Sequence, residues 1–245
     1  MKPLDPSLPT GNQGPDPDRS EGPLTLVTGG GGFLGQAVVR LLVARGERVR
    51  SLARRFYPAL DRLGVDQVQG DLADPQTVQR ACTGVRLVIH TAARAGVWGP
   101  YEAYHRPNVI GTANIIAACR RHGIGRLIYT SSPSVVFDGS DMAGVDESVP
   151  YPSAFHAPYP ATKALAEQAV RAAAGRGLAT ICLRPHLIWG PGDNHLVPRI
   201  LARARRLCRA GDGANRLDTI YIHNPAAAHL LAADALARHP QLSGN

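Results

Sequence analysis

Short apolar runs alternate with helical periods along most of the chain. From Leu24, "LTLVTGG" reads as a buried strand, "GFLGQAVVRLLVARG" as an amphipathic helix and "RVRSLAR" as a second strand. A further short run ends at "QGDLAD". Beyond it, "RLVIHTAA" and "RLIYTSS" flank "NVIGTANIIAACRRHG", whose apolar positions recur at helical spacing, and "ATICLRP" follows a helix that begins near "YPATK". Strand, helix, strand in repetition predicts a parallel sheet covered on both faces. The expected fold class is therefore α/β, a doubly wound parallel sheet of the Rossmann type, with ligands at the carboxyl ends of its strands. The polar clusters of the sequence fall at those ends.

The pattern also divides the chain. Residues 1–23 are rich in Pro, Gly and Asp, lack the apolar stretch of a secretory signal, and read as a disordered leader. Residues 24–185 form the expected nucleotide-binding domain, and residues 186–245 a smaller substrate-side region. No uninterrupted apolar run approaches the ~18 residues of a membrane span. Cys82, Cys119, Cys182 and Cys208 are far apart, without metal-ligand or disulfide-scaffold spacing, so the expectation is a reducing cytoplasm and no metal. The net charge of +8 raises nucleic acid as a partner. Its arginines are scattered, however, apart from a concentration at Arg199, Arg203, Arg205, Arg206 and Arg209 that lacks interleaved aromatics, so no nucleic-acid partner is expected.

Candidate chemistry begins at the first strand–helix junction. Gly29, Gly32 and Gly35 stand in GxxGxxG spacing there, with Phe33 and Leu34 inside the turn. Glycines at such a turn let the backbone approach a pyrophosphate, and the helix N-terminus adds free N–H groups and a positive dipole. At the end of the second strand an acidic residue would bond a ribose 2′-hydroxyl, whereas arginine suits a 2′-phosphate. Ala53 is followed by Arg54 and Arg55, so NADP(H) is favoured over NAD(H). Asp71 and Leu72 end another run where an adenine would lie, and "HTAA" offers small residues, Ala92 among them, against which a cofactor can pack.

The second cluster is "APYPATKALAEQAV". Tyr159 and Lys163 are four apart in a predicted helix and so share one face. Lysine occurs at only two positions in the chain, Lys2 and Lys163, every other fixed cation being arginine. A lysine kept inside the folded region argues for chemistry that a rigid guanidinium does not supply. A phenol of ordinary pKa near 10 needs lowering to work as an acid/base at neutrality, and a nearby ammonium favours its anion.

Together "TGGGGFLG", "GDLAD", "HTAA", "NVIGTANII", "YTSSPSVV", "YPATK" and "LRPHLIWGPGD" resemble the extended short-chain dehydrogenase/reductases. Within them the chain is most similar to the 3β-hydroxysteroid dehydrogenase type and, more closely, to bacterial 2-alkyl-3-oxoalkanoate reductases of olefin synthesis. The resemblance implies that Tyr159 is the general acid/base and that Lys163 assists it and holds the nicotinamide ribose. Ser132 would bond the substrate oxygen, with Ser131 or Thr130 as alternatives, because consecutive strand residues face opposite ways. Pro185 to Ile188 resemble the segment beside the nicotinamide. Asn108 is either a site residue or a helix cap, and His186 is read as structural or exposed.

As partner the resemblance implies a hydrophobic ketone or alcohol, walled by Trp98, Tyr101, Tyr104, Trp189 and Leu196, with Arg94, His195 or Arg199 facing a substrate carboxylate. Three other readings stay open: a 3β-hydroxysteroid or sterol dehydrogenase, a nucleotide-sugar epimerase, and a cofactor-binding relative without activity. Dehydration is disfavoured, since Pro133, Ser134 and Val135 follow Ser132 where acids are needed. His223 replaces an aspartate of many relatives, whose chains run on past the counterpart of Asn245, so the substrate side is expected to be incomplete. A homodimer is a further expectation by analogy.

Overall fold

The computed structural model describes residues 22–244 apart from 97, 195, 207, 209 and 210. The leader through residue 21, His195 and Arg209 thus lie outside the described residues. The sheet strands are β1 Leu24–Thr28, β2 Arg48–Ala53, β3 Asp66–Gln69, β4 Val85–His90, β5 Arg126–Thr130 and β6 Ala179–Leu183. They pair in parallel throughout, in the spatial order β3-β2-β1-β4-β5-β6. The order reverses between β1 and β4. A crevice for a ligand opens at such a switch point.

Both faces of the sheet are covered, as the continuous apolar runs require. On one side Val78 of α3 (Pro75–Cys82), Ile115 of α5 (Gly111–Arg121) and Val170 of α6 (Pro158–Ala172) pack with Leu26, Val88 and Leu127. On the other, Val38 and Leu42 of α1 (Phe33–Ala44) and Leu60 of the short α2 (Pro58–Asp61) pack with Val27, Ile89 and Ile128. That second layer is completed by Ala226, Leu230 and Leu236 of α8 (His223–Arg238). The sequence groups those residues with the substrate side. Their apolar stripe instead docks on the sheet, and Arg45, the C-cap of α1, pairs with Asp234 of α8 at 3.0 Å.

The helix predicted from Asn108 begins earlier. α4 (Tyr101–His105) runs without a cap into a π-helical turn, Arg106–Ile110, and then into α5. Pro107 lies inside this continuous helix, where it has no N–H to donate and its ring crowds the carbonyl four residues back. The wide turn relieves both conflicts. Outside the main sheet, β7 (Leu187–Trp189) pairs in parallel with β8 (Thr219–Tyr221), and α7 (Leu196–Arg203) projects from this smaller unit.

Candidate active site

Strand β1 enters a turn in which Gly29 has φ +69°, a left-handed conformation that glycine adopts without steric cost. A Cβ on Gly29 would stand 2.9 Å from the Ala92 Cα, and one on Gly35 would stand 2.1 Å from the Gly29 carbonyl oxygen. The turn is therefore folded tightly against both the helix and the end of β4. Gly32 is the N-cap of α1 and no side chain caps that end. Free N–H groups at an uncapped helix start favour an anion.

This turn forms one end of a cleft of about 2100 Å³ that runs along the carboxyl ends of the strands. Every residue expected to bind the cofactor lines it: Gly29, Gly32, Phe33, Leu34, Gly35, Arg54, Asp71, Leu72, Ala92 and Pro185. Ser132, Tyr159 and Lys163 line the same cleft. The tight glycine turn and the uncapped helix fit the pyrophosphate of a dinucleotide, and Arg54 lies exposed beside them. Asp71, expected near the adenine, lines the cleft, and its carboxylate accepts from Ala73 N at 2.9 Å and from Arg106 at 3.1 Å. The Ala73 hydrogen bond leads in holding its pKa below the usual carboxylate value, with Arg106 adding to it.

Helix α6 starts with Pro158, and Pro160 follows in the first turn, where missing N–H groups cost nothing. Tyr159 and Lys163 consequently share the face turned to β5. Lys163 is buried, and its ammonium donates to Tyr129 Oη and to the Thr130 carbonyl, each at 2.6 Å, while lying 4.1 Å from the centre of the Tyr129 ring. Burial pulls its pKa down to about 7, against weaker upward pulls from Cys182 and Glu167. Tyr159 departs from the expectation of a lowered phenol. Burial raises its pKa, and a hydrogen bond with Ser132 only partly offsets this. Its neighbour across the site is the serine hydroxyl, while the lysine's hydrogen bonds go to β5.

The structure also resolves the register at the end of β5. The Thr130 hydroxyl turns to His229 Nε2 of α8, at 2.7 Å, and Ser131 lines the cleft but is buried. Ser132 is left beside Tyr159, with Ser134 Oγ 2.9 Å away. Asn108 is not a helix cap. It is buried in the π-helical turn, where its Oδ1 accepts from Arg94 N at 2.7 Å and its Nδ2 donates to Thr162 Oγ1 at 3.1 Å. Thr162 in turn donates to the carbonyls of Pro158 and Tyr159.

Behind the site lies an ion pair that no local sequence pattern reveals. Glu167 is fully buried, pairs with Arg184 at 2.6 Å and accepts from Tyr151 Oη at 2.7 Å. Burial pushes the Glu167 carboxyl up, but the hydrogen bonds led by Arg184 outweigh it and hold the pKa low. The pair anchors the start of the 184–188 segment to α6.

The aromatic wall is a correction. Of the five expected residues only Leu196 lines the cleft. Tyr104 is buried with its hydroxyl on the Trp98 carbonyl, Tyr101 stacks on His105, and Trp189 packs edge-on to Tyr221. The apolar lining comes instead from Val136, Phe137, Met142, Leu187, Ile188 and Leu217. Arg94 and His186 also line the cleft, whereas Arg199 does not. Among the described residues no helix is long and apolar enough to cross a membrane.

A parallel sheet with this strand order, a glycine turn at its switch point and a serine, tyrosine and lysine converging on one cleft define the short-chain dehydrogenase/reductase class. The family is narrower: a model of the 3-beta hydroxysteroid dehydrogenase/isomerase family matches residues 26–245, and the chain belongs to that family. It is 59% identical over 217 residues to a 2-alkyl-3-oxoalkanoate reductase of Stenotrophomonas maltophilia, covering 86% of this chain and 66% of that one. It is 37% identical to the human decarboxylating sterol-4-alpha-carboxylate 3-dehydrogenase, covering 89% of this chain and 59% of that one. The chain therefore spans less than two thirds of the length of these curated relatives. Among solved structures, MoeE5 in complex with UDP-glucose and NAD matches with a TM-score of 0.74 and 30% identity, over 85% of this chain and 71% of that one.

Proposed function

We propose that the chain carries the cofactor cleft and the acid/base residues of an NADP(H)-dependent reductase acting on a large hydrophobic ketone, in the first instance a 2-alkyl-3-oxoalkanoate. The observation that carries this reading is the meeting of Ser132, Tyr159 and Lys163 with the glycine turn in one cleft. The 59% identity to a reductase of that substrate supports the substrate class. A bound nicotinamide dinucleotide supplies the hydride. Gly29, Gly32 and Gly35 would admit its pyrophosphate to the start of α1, Arg54 would hold a 2′-phosphate, and Pro185 would border the nicotinamide.

The chain's own side chains handle the proton. Ser132 Oγ holds the keto oxygen, and Tyr159 Oη delivers a proton to it as negative charge develops there. A phenol whose pKa is raised by burial stays protonated at neutral pH, so the site is poised for reduction. Lys163, fixed by Tyr129 and Thr130, presents its ammonium at the floor of the cleft. Val136, Met142, Leu187 and Leu217 give the alkyl chains an apolar lining.

A sterol substrate is the second reading, favoured by the 37% identity to the sterol dehydrogenase. An epimerase is disfavoured by Arg54 at the end of β2. A cytoplasmic location and a homodimer complete the proposal, the first supported by the wide spacing of Cys82, Cys119, Cys182 and Cys208 along the sequence, which is unlike a disulfide scaffold.

The test is nucleotide oxidation by the full chain with a 2-alkyl-3-oxoalkanoate, a 3-oxosteroid and a UDP-sugar, beside Tyr159→Phe. The expected result is turnover of the first ketone, lowered by roughly 10²–10⁴-fold in Tyr159→Phe as for loss of a general acid. Turnover of the steroid instead would select the second reading. Interconversion of UDP-sugars without net nucleotide oxidation would overturn both.

A further inference from the structure

His90 ends β4 beneath the cleft and is buried, with both ring nitrogens engaged. Nδ1 lies 2.6 Å from Thr28 Oγ1, and Nε2 lies 3.0 Å from Thr112 Oγ1. The partners decide which nitrogen carries the proton. Thr112 has one hydroxyl proton and gives it to the Asn108 carbonyl at 2.6 Å, so toward His90 it accepts. Thr28 Oγ1 accepts from Ala92 N at 3.2 Å, which leaves its own proton for Nδ1. The result is a one-way chain, Ala92 N–H to Thr28 to His90 to Thr112 to Asn108 O, with a neutral imidazole as its Nε2–H tautomer. Burial, with a smaller contribution from the Lys163 charge, holds the His90 pKa at about 3, which agrees with a neutral ring.

The two ends of this chain are the two halves of the site. Thr28 precedes Gly29, and Ala92 is the residue against which that glycine is pressed. Asn108 continues to Thr162 and so to the backbone of Pro158 and Tyr159. A side arm reaches the lysine, since the His90 ring packs 5.4 Å from that of Tyr129, whose hydroxyl accepts from Lys163.

We propose that His90 is a positioning residue whose imidazole, accepting from Thr28 and donating to Thr112, holds the glycine turn in register with Tyr159 and Lys163. The inference rests on reading those elements as cofactor cradle and acid. It predicts more than packing does. A residue that only filled space would be replaced well by leucine, which has similar bulk. A registering residue must present an acceptor and a donor side by side, as the glutamine amide does and leucine does not.

The experiment uses the full chain as wild type, His90→Leu, His90→Gln and Thr112→Val. NADPH affinity, kcat on the ketone and the thermal midpoint are measured for each, and imidazole ¹⁵N shifts are recorded for the wild type. The expected result is an Nε2–H signal for His90 that stays neutral at about pH 5, well above its buried pKa. In His90→Leu, kcat falls by up to about 10²-fold, the scale of a displaced catalytic group, and NADPH binds more weakly. His90→Gln recovers most of both. If His90→Leu does not fold, Thr112→Val cuts the same chain from the other side and is expected to show the same losses.

Unchanged affinity and kcat in a folded His90→Leu or Thr112→Val would overturn the proposal, as would equal losses in His90→Gln and His90→Leu. An Nδ1–H tautomer in the wild type would also overturn it. A wild-type chain that binds no NADPH would instead bring down the reading on which the proposal rests.

Discussion

Lys163 shows how far a single residue can be read. Its rarity in the chain points to chemistry, and the structure gives it a buried, doubly hydrogen-bonded ammonium in the cleft floor. The direction of its influence is not legible in the sequence, because it depends on partners from β5 that lie more than thirty residues away. The same holds for Ser132, since period-two alternation leaves the choice among Thr130, Ser131 and Ser132 to long-range packing. A pH effect on stability follows from the lysine. Its folded pKa of about 7 lies below the unfolded value, so between these the unfolded chain holds the proton that the folded chain has shed. Stability then rises with pH above about 7, by at most about 1.4 kcal/mol per pH unit. Above the ordinary thiol pKa, the raised pKa values of Cys82, Cys119 and Cys182 pull the other way. Urea denaturation of wild type and Lys163→Met between about pH 7 and 8.5 isolates the lysine's part. The wild type should gain stability relative to the variant as pH rises, and a constant difference would contradict the burial account.

At the scale of elements, the junction of β1 and α1 is readable because glycine spacing and helix start coincide in a few residues. Gly35 is there for a close approach between helix and turn. A methyl group at Gly35 would overlap the Gly29 carbonyl, so Gly35→Ala should destabilise the chain by about 1–3 kcal/mol, as overpacking does. It should also weaken nucleotide binding. Denaturant midpoints and NADPH titration check both, and a Gly35→Ala variant of wild-type stability and affinity would show that the turn is looser than described. The helix through Asn108 is readable only from its regular part. Pro107 places a π turn ahead of it, and that turn carries Asn108 into the site. The aromatic segment misleads for a related reason: spacing does not say which side of a short element faces the cleft. Tyr104 turns inward and Trp98 outward, leaving the apolar lining to Val136, Phe137, Met142, Leu187, Ile188 and Leu217.

For the whole molecule, the parallel doubly wound sheet is legible because strands buried on both faces leave unbroken apolar runs. Its second cover is less so, since the stripe on α8 is mostly alanine and comes long after the strands it packs on. Together the layers bring Gly29, Arg54, Ser132 and Tyr159 to one cleft from four separate parts of the chain. Under the proposed function this cleft is a dinucleotide site that prefers a 2′-phosphate. Its most direct test is equilibrium titration of the full chain with NADPH and with NADH, repeated with Arg54→Ala. Saturable binding of both is expected, tighter for NADPH, with the preference lost in Arg54→Ala while NADH binding is retained. Equal affinities that ignore Arg54 would remove the 2′-phosphate assignment, and failure to bind either nucleotide would contradict the account from the glycine turn onward.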